Sequence, residues 1–263
     1  MVVAPLCSSS AANSTFIGTR SGGVLIDIGC SYRQLMNCLP MCGIELSSVK
    51  ALLITHEHID HVRGLLQFGK QNDIPIFASH GTCNVLIEKG LVYDKSNLFE
   101  LDSLTQIESD YEIKAFATPH DSAQSVGFTI TASNDYKVAY MTDLGEVTQE
   151  VRNATLGANF AFIESNYEPE MLRQNTQYPH FTKERIRSRL GHLSNPDSAD
   201  YICELVENGA TRIVLAHLSK ANNTPDIAFD NAVKRLSQAG FKQDYDYTLD
   251  VACVQTIGEY IAV

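Results

Sequence analysis

The sequence lacks the features of a membrane-spanning or disulfide-framed protein. None of its apolar runs approaches the ~20 residues that a helix needs to cross a bilayer. Its seven cysteines are irregularly spaced and include no Cys-x-x-Cys pair, so we expect reduced side chains in the core. The N-terminus is apolar without a basic leading region, which favours a first strand over a signal peptide. We therefore expect a cytoplasmic protein that does not use a membrane.

Basic residues are also scarce. The chain has 20 Lys and Arg against 31 Asp and Glu, a net charge of -11 at pH 7. This balance argues against attraction of nucleic acid over the whole surface, because phosphate binding requires a basic footprint. One segment departs from the average, since residues 173–189 contain one Lys and four Arg but only one acidic residue, Glu184. Such a run is typical of either a solvated helix face or a phosphate-binding surface.

Short β-like runs alternate with helical runs along the 263 residues, which predicts an α/β architecture. No low-complexity linker or charged boundary interrupts the pattern. We therefore predict a single domain over residues 1–263, built from two similar halves. Among its elements are a hairpin turn at residues 21–23, a helix over residues 60–68 and a strand over residues 257–261.

The most informative pattern lies at residues 55–61, directly after the apolar run 51–54. It contains four side chains that can bind metal, namely His56, His58, Asp60 and His61. Imidazole and carboxylate are typical ligands of borderline divalent cations. His56 and His58 can point to the same side of an extended backbone, whereas the other two lie beyond a bend. A solvated polar loop is the alternative, but the density of ligands favours a metal-binding turn.

Other predicted strands also end in candidate ligands. His120 follows a predicted strand at 113–118, Asp143 follows one at 137–142, and His217 follows one at 212–216. Each alone is more typical of a hydrogen-bonded or turn-forming residue. Because a sheet gathers its strand ends at one edge, side chains that are distant in sequence can meet there. The combination predicts a metal site assembled from several strands.

These residues resemble the metallo-β-lactamase superfamily, whose signature His-x-His-x-Asp-His matches residues 56–61 without a gap. The resemblance implies a four-layer αββα sandwich with two divalent metal ions, zinc or manganese, since mixed His and Asp ligation suits both. It also implies a division of the ligands: His56, His58 and His120 hold one ion, Asp60, His61 and His217 hold the other, and Asp143 bridges them.

A closer resemblance is to the YycJ/WalJ-like branch, a group implicated in DNA exonuclease activity. It is carried by five segments, at residues 8–14, 118–121, 141–145, 164–167 and 191–195. The resemblance implies a binuclear-metal phosphodiesterase acting on DNA, with 5′-to-3′ exonuclease action as the expected polarity. In the expected reaction, metal-bound hydroxide attacks phosphorus.

Further residues have expected supporting roles. Asp27, at the end of a predicted strand, should accept a hydrogen bond from a ligand histidine and set its tautomer. Asp60 should both bind metal and orient the nucleophile. His192 follows the basic run and precedes a predicted helix, so we consider it a candidate catalytic residue that contacts phosphate. A structural role in the turn is the alternative for His192.

Substrate-binding candidates come from two segments. Arg185 and Arg189 belong to the basic run and are expected to contact phosphate. Asn13 and Ser14 offer neutral donors for the same purpose, with a capping role as the alternative.

A rival function would use the same site. Glyoxalase-like hydrolysis of a thioester or lactone, a small-molecule ester substrate, fits the acidic surface better than DNA does. Salt separates the two, because backbone-phosphate binding weakens steeply with ionic strength whereas a small neutral ester scarcely responds. A non-enzymatic metal-holding or nucleic-acid-binding module would require an incomplete ligand set, and this set is complete.

Overall fold

The computed structural model describes residues 1–19, 22–101, 111–252 and 261–262. The chain forms two compact units. The first unit comprises Met1–Tyr111, Ser122–Val126 and Cys253–Val263, and the second comprises Glu112–Asp121 and Gly127–Ala252. In the described part of the chain, the helices are all too short or too polar to span a membrane.

The first unit contains a mixed sheet, with seven strands among the described residues. These strands are β1 (Val2–Ser9), β2 (Ala12–Gly18), β3 (Gly23–Ile26), β4 (Val49–Leu53), β5 (Ile76–Ala78), β6 (Leu98–Glu100) and β13 (Ile261–Ala262), in the order β13-β1-β2-β3-β4-β5-β6. The pairings from β13 to β3 are antiparallel, and those from β3 to β6 are parallel. The parallel strands β3 and β4 are apolar runs and almost wholly buried, as expected for parallel strands covered on both faces.

Among the described residues, four α-helices accompany this sheet: α1 (Tyr32–Met41), α2 (Ile59–Val62), α3 (Leu65–Gln71) and α4 (His80–Glu88). Side-chain caps start two of them, because Ser31 accepts a hydrogen bond from the Gln34 amide and Ser79 accepts one from the Thr82 amide. Each cap supplies an acceptor for an amide that has no partner within its helix.

The single helix predicted over residues 60–68 is wrong, since α2 and α3 are separate helices. The Gly64 amide donates to the Ile28 carbonyl at 2.9 Å instead of continuing the helix. A Cβ atom at Gly64 would also lie 2.5 Å from the Cys30 carbonyl oxygen. The backbone that follows β3 therefore interrupts the helix, and sequence periodicity contains no sign of that tertiary contact.

The second unit contains a six-stranded sheet within the described residues. Its strands are β7 (Tyr111–Ala117), β8 (Val126–Ala132), β9 (Lys137–Met141), β10 (Phe160–Glu164), β11 (Arg212–Ala216) and β12 (Thr248–Val251), in the order β12-β11-β10-β9-β8-β7. The accompanying helices are α5 (Gln149–Thr155), α6 (Pro169–Gln174), α7 (His180–Arg187), α8 (Asn195–Glu207) and α9 (Pro225–Gln238). Strands β8 and β9 pair antiparallel, whereas β9 to β12 are parallel.

The sheet register explains why candidate ligands gather at strand ends. In the second unit, Glu164 pairs with Ala216 across parallel strands, so the carboxyl ends of β10 and β11 lie side by side. Three residues just beyond strand ends adopt left-handed backbone conformations, namely Asp27 (φ 59°), Asp143 (φ 54°) and His217 (φ 57°). Such a conformation is uncommon for a residue with a side chain and ends the extended run abruptly. It turns the chain away from the strand at each of these positions.

The predicted α/β architecture is confirmed by these elements. The predicted strand over residues 257–261 lies outside the described residues except at its last position, and residue 21 of the predicted turn is also outside them. The prediction of one domain over residues 1–263 stays a prediction.

Candidate metal centre

The first cluster consists of His56, His58, Asp60 and His61 with the supporting residues Asp27 and Thr55, all in the first unit. Asp27 is fully buried and accepts two hydrogen bonds from Thr55, one from the amide and one from the hydroxyl, each at 2.8 Å. Its Oδ2 also lies 2.7 Å from His61 Nδ1. Because a carboxylate can only accept, Nδ1 carries the proton and Nε2 is left as the lone-pair nitrogen.

The pKa of Asp27 reflects two opposing influences. Burial raises the pKa of this carboxyl, and the neighbouring His61 imidazole acts in the opposite direction. The carboxyl and imidazole therefore share a dry environment in which their hydrogen bond fixes the orientation of the ring.

Three imidazoles come together in the first cluster. The His56 ring centroid lies 4.6 Å from that of His58 and 4.1 Å from that of His61. Asp60 Oδ2 is 3.4 Å from His61 Nε2, so the carboxylate and the ring nitrogen are close enough to approach a common ligand position. The contiguous motif thus gathers its four candidate ligands locally.

The backbone after β3 packs directly against this motif. The Ile28 amide donates to the His61 carbonyl at 2.8 Å, and the Gly29 amide donates to the Asn13 carbonyl at 2.8 Å. A Cβ atom at Gly29 would overlap the Asp60 carbonyl oxygen and would lie 2.6 Å from the Asn13 amide nitrogen. Glycine is therefore required at position 29 by close backbone approach.

The second cluster consists of His120, Asp143, Glu164, His192 and His217, all in the second unit. Four of these residues offer ligand-type atoms within 4.8 Å of one another, namely Asp143, Glu164, His192 and His217. The cluster is assembled from separate strand ends and from the loop before α8, over almost a hundred residues of sequence.

Glu164 organises the second cluster. Its Oε1 lies 2.6 Å from His217 Nδ1 and 2.8 Å from His192 Nδ1. Its Oε2 accepts from the backbone amides of Leu144 at 2.9 Å and Leu193 at 3.1 Å. Burial alone would raise the pKa of Glu164, but the contacts with His192 and His217 outweigh it and lower the pKa to about 2. The side chain is therefore an ionised acceptor of four hydrogen bonds.

His120 and Asp143 complete this cluster. His120 Nδ1 donates a hydrogen bond to the Gly191 carbonyl oxygen at 3.0 Å. Its Nε2 lies 3.5 Å from Asp143 Oδ1. Burial lowers the pKa of His120, which favours the neutral imidazole that metals bind.

The geometry of these histidines suits a metal ion. His61, His120, His192 and His217 each direct Nδ1 to a carboxylate or a backbone carbonyl. Metal-bound histidines in proteins have this arrangement, because the anchored Nδ1 fixes the tautomer and leaves Nε2 to bind the cation. Within each cluster, the histidines and one aspartate, Asp60 in the first and Asp143 in the second, provide the nitrogen and oxygen donors preferred by zinc or manganese.

No role is predicted for Glu164 from the sequence, although it begins the segment 164–167 that contributes to the family resemblance. The available signal was its position, because Glu164 ends a buried strand just as the predicted ligands do. Its partners are 28 and 53 residues away, so no local motif marks the contact.

The predicted substrate-binding residues have different surroundings. Asn13 Nδ2 lies 3.0 Å from His61 Nε2 and 3.4 Å from Asp60 Oδ2, so Asn13 belongs with the first cluster. Ser14 is fully buried, and its hydroxyl donates to the Asp27 carbonyl at 2.9 Å. In this position Ser14 supports the turn that carries Asp27.

The two arginines form ion pairs. Arg185 contacts Asp121 through two nitrogens, with Nη2 3.0 Å from Oδ1, and Asp121 in turn lies 3.4 Å from His120 Nε2. Arg189 Nη2 lies 2.6 Å from Glu146 Oε1. Each guanidinium already faces a carboxylate, so a bound phosphate would have to compete with that partner.

Comparison with known proteins decides the family. The profile of the family described as "Beta-lactamase superfamily domain" matches residues 23–218. The chain belongs to the beta-lactamase superfamily. This member of the superfamily is 31% identical over 238 residues to "Exodeoxyribonuclease YycJ" of Bacillus anthracis, covering 90% of the chain and 89% of that protein. It is 30% identical over 246 residues to "Exodeoxyribonuclease WalJ" of Streptococcus pneumoniae, covering 92% and 90%. The predicted resemblance to the YycJ/WalJ-like branch is confirmed.

Solved structures agree on the fold of this superfamily member. Zn²⁺-bound PqqB of Methylobacterium extorquens matches with a TM-score of 0.74 and 16% identity over 100% of both chains. The metallo-beta-lactamase fold protein YhfI of Bacillus subtilis matches with a TM-score of 0.70 and 16% identity over 99% of this chain and 98% of its own. The predicted metallo-β-lactamase-like fold class is confirmed, and so is the prediction of a metal-dependent hydrolase.

Proposed function

We propose that the chain is a binuclear-metal phosphodiesterase that degrades DNA from an end, with 5′-to-3′ polarity. The observation that carries this proposal is the similarity, over about nine-tenths of both chains, to two relatives named exodeoxyribonuclease. The anchored histidines of the two clusters support the metal-dependent part of the proposal. A single domain over residues 1–263 and a cytoplasmic location belong to the same proposal.

The proposed ligand assignment follows the family resemblance. His56, His58 and His120 would hold one ion, Asp60, His61 and His217 would hold the other, and Asp143 would bridge them. Two divalent cations, zinc or manganese, would lower the pKa of a water molecule and neutralise charge that develops on the phosphate oxygens. A bridging carboxylate suits this arrangement because two cations repel one another strongly unless anionic groups lie between them.

His192 is the proposed catalytic residue besides the metal ligands. Its Nδ1 lies 2.8 Å from Oε1 of the ionised Glu164, which fixes the orientation of the ring. Its side chain keeps 18% of its surface exposed, unlike the almost fully buried His217. In the proposed role, Nε2 gives a proton to the oxygen that leaves when the phosphodiester bond breaks.

Asp60 and Asn13 are proposed to act together in the first cluster. Asp60 would bind metal and orient the attacking water, and Asn13 would hold the carboxylate through its amide at 3.4 Å. Arg185 and Arg189 are also proposed to contact phosphate. Each would exchange its carboxylate partner for the DNA backbone when the substrate binds.

The direct test uses the metal-loaded chain with DNA labelled at either end, single-stranded and double-stranded, in zinc or manganese. We expect mononucleotides to be released first from the 5′ end, and phosphorothioate linkages at that end to block degradation. Asp143→Ala is the matched control and should abolish cleavage. Release that begins at the 3′ end would refute the polarity alone.

Hydrolysis of a thioester or lactone is the second candidate, favoured by the net charge of -11. The two candidates differ in their response to salt. Cleavage of DNA should slow steeply as ionic strength rises, whereas hydrolysis of a small neutral ester should scarcely change. Absence of DNA cleavage with either metal, together with rapid thioester hydrolysis, would replace the first candidate by the second.

A further inference from the structure

Helix α7 is unusual among the described α-helices because it buries none of its residues. None of the residues from 173 to 190 is buried either. This segment nevertheless contains large apolar side chains, with Phe181 73% exposed and Leu190 52% exposed. A surface helix normally directs its apolar side chains to the core, so packing within the described part of the chain does not account for the exposure of the Phe181 ring.

The segment is held firmly in place beside the second cluster. The His192 amide donates to the Ile186 carbonyl at 3.0 Å, and the Gly191 amide donates to the Ser188 carbonyl at 2.8 Å. A Cβ atom at Gly191 would overlap the carbonyl oxygens of Arg185 and Ile186. The end of α7 therefore packs backbone to backbone against the residues that precede and include His192. The exposed Phe181 ring therefore belongs to a helix whose position relative to His192 is fixed by backbone contacts.

Charge on this segment is local and positive within an acidic chain. Lys183 Nζ donates to the Arg173 carbonyl at 2.9 Å, and no carboxylate of the described residues forms an ion pair with it. Arg187 faces Glu184 at 3.3 Å, and both side chains are exposed. Exposed pairs of this kind contribute little to stability, so an arriving phosphate can replace the carboxylate at small cost.

We propose that residues 178–190, the α7 platform, bind single-stranded DNA, with Phe181 stacking on an unpaired base and Lys183 contacting the backbone. An exposed aromatic ring on a segment rich in positive charge is typical of surfaces that bind single strands without sequence preference. A duplex hides its base faces, so the ring would select unpaired nucleotides. The inference rests on the proposed function, and it specifies the form of DNA that approaches His192.

The test measures DNA binding separately from cleavage. A fluorescein-labelled single-stranded oligonucleotide is titrated with protein in EDTA, and affinity is read from fluorescence anisotropy. We expect Phe181→Ala to weaken binding about tenfold or more, and Phe181→Trp to restore it, because base stacking tolerates any large aromatic ring. Tyr245→Ala is the matched control, since that side chain is 86% exposed in the same unit and should not affect affinity.

An abasic oligonucleotide sharpens the test, because it keeps the phosphates and removes the bases. The affinity difference between wild type and Phe181→Ala should vanish with it. Lys183→Gln should instead reduce the slope of log affinity against log salt by about 0.7, the value for one phosphate contact to a single strand. Circular dichroism and thermal unfolding of each variant verify that it folds.

Equal binding by wild type and Phe181→Ala would overturn the proposal, as would an equal loss on the abasic strand. A changed oligomeric state in Phe181→Ala with unchanged DNA affinity would overturn it too, and would assign the ring to a protein contact. These outcomes are independent of the proposed function. A metal-loaded enzyme that cleaves DNA while ignoring Phe181 refutes only the platform, and Phe181-dependent binding without any cleavage refutes only the nuclease activity.

Discussion

In both clusters a buried carboxylate orients histidines, but the two carboxylates differ in how many groups they hold. In the first cluster, the carboxylate of Asp27 orients one histidine, His61, and is itself held by Thr55. In the second cluster, the carboxylate of Glu164 orients both His192 and His217 and also accepts two backbone amides. A substitution in the second cluster should therefore disturb more of the site than the corresponding one in the first.

The largest effect is expected for Glu164→Gln. Glutamine can accept at only one oxygen, and its amide group would face hydrogen-bond donors, so buried donors lose their partner. We expect a loss of about 3–5 kcal/mol in the free energy of unfolding, the usual cost of breaking a buried charged network. Metal affinity should fall at least ~10–100-fold. Chemical denaturation and equilibrium dialysis measure the two effects. A variant as stable as wild type would contradict the central role of Glu164.

Asp27→Asn should have a smaller effect. Its side chain contacts one histidine and one threonine, so fewer donors lose a partner, and we expect a loss of about 1–3 kcal/mol. Metal affinity should fall by ~10–100-fold, because the His61 tautomer is no longer fixed. The same two measurements apply. If Asp27→Asn were more disruptive than Glu164→Gln, the comparison between the clusters would be reversed.

Gly29→Ala tests the close backbone packing that supports the first cluster. The added methyl group would overlap the Asp60 carbonyl oxygen, so the motif must shift. We expect destabilisation of about 1–3 kcal/mol, as for other overpacked sites, with loss of metal binding. Gly69→Ala in helix α3 is the matched control, because the added Cβ would lie 3.5 Å from the Tyr93 side chain, an ordinary van der Waals distance. The control should be stabilising by ~0.5–1 kcal/mol.

The smallest effect is expected for Glu146→Gln, which removes a negative charge from the same unit as Glu164. Its partner Arg189 is 82% exposed, and ion pairs of this kind contribute little. Thermal unfolding should be indistinguishable from that of wild type. A marked loss would show that exposed carboxylates in the second unit matter as much as the buried one.

The two clusters also differ in how far sequence could predict them. The first was visible because its four candidate ligands lie within six residues at a strand end. The candidate ligands of the second were predictable only as separate strand-end residues, which the parallel register brings to one edge. Glu164 received no role because its partners are 28 and 53 residues away.

Other differences have the same physical origin. The break between α2 and α3 depends on a hydrogen bond from Gly64 to Ile28, a tertiary contact with no local signature. The ion pairs of Arg185 and Arg189 join residues 64 and 43 positions apart. Local periodicity predicts elements well, but it cannot show which distant side chain neutralises a charge.

Counting bound metal ions tests the account most directly. Wild-type protein, stripped with a chelator and dialysed against zinc or manganese, should retain two ions per chain by mass spectrometry of the metal content. Glu164→Gln and Asp27→Asn should each retain fewer at the same free metal concentration, with the greater loss in Glu164→Gln. Retention of no metal by the wild-type chain, or of equal amounts by all three proteins, would contradict the proposal that Asp27 and Glu164 orient the metal ligands His61 and His217.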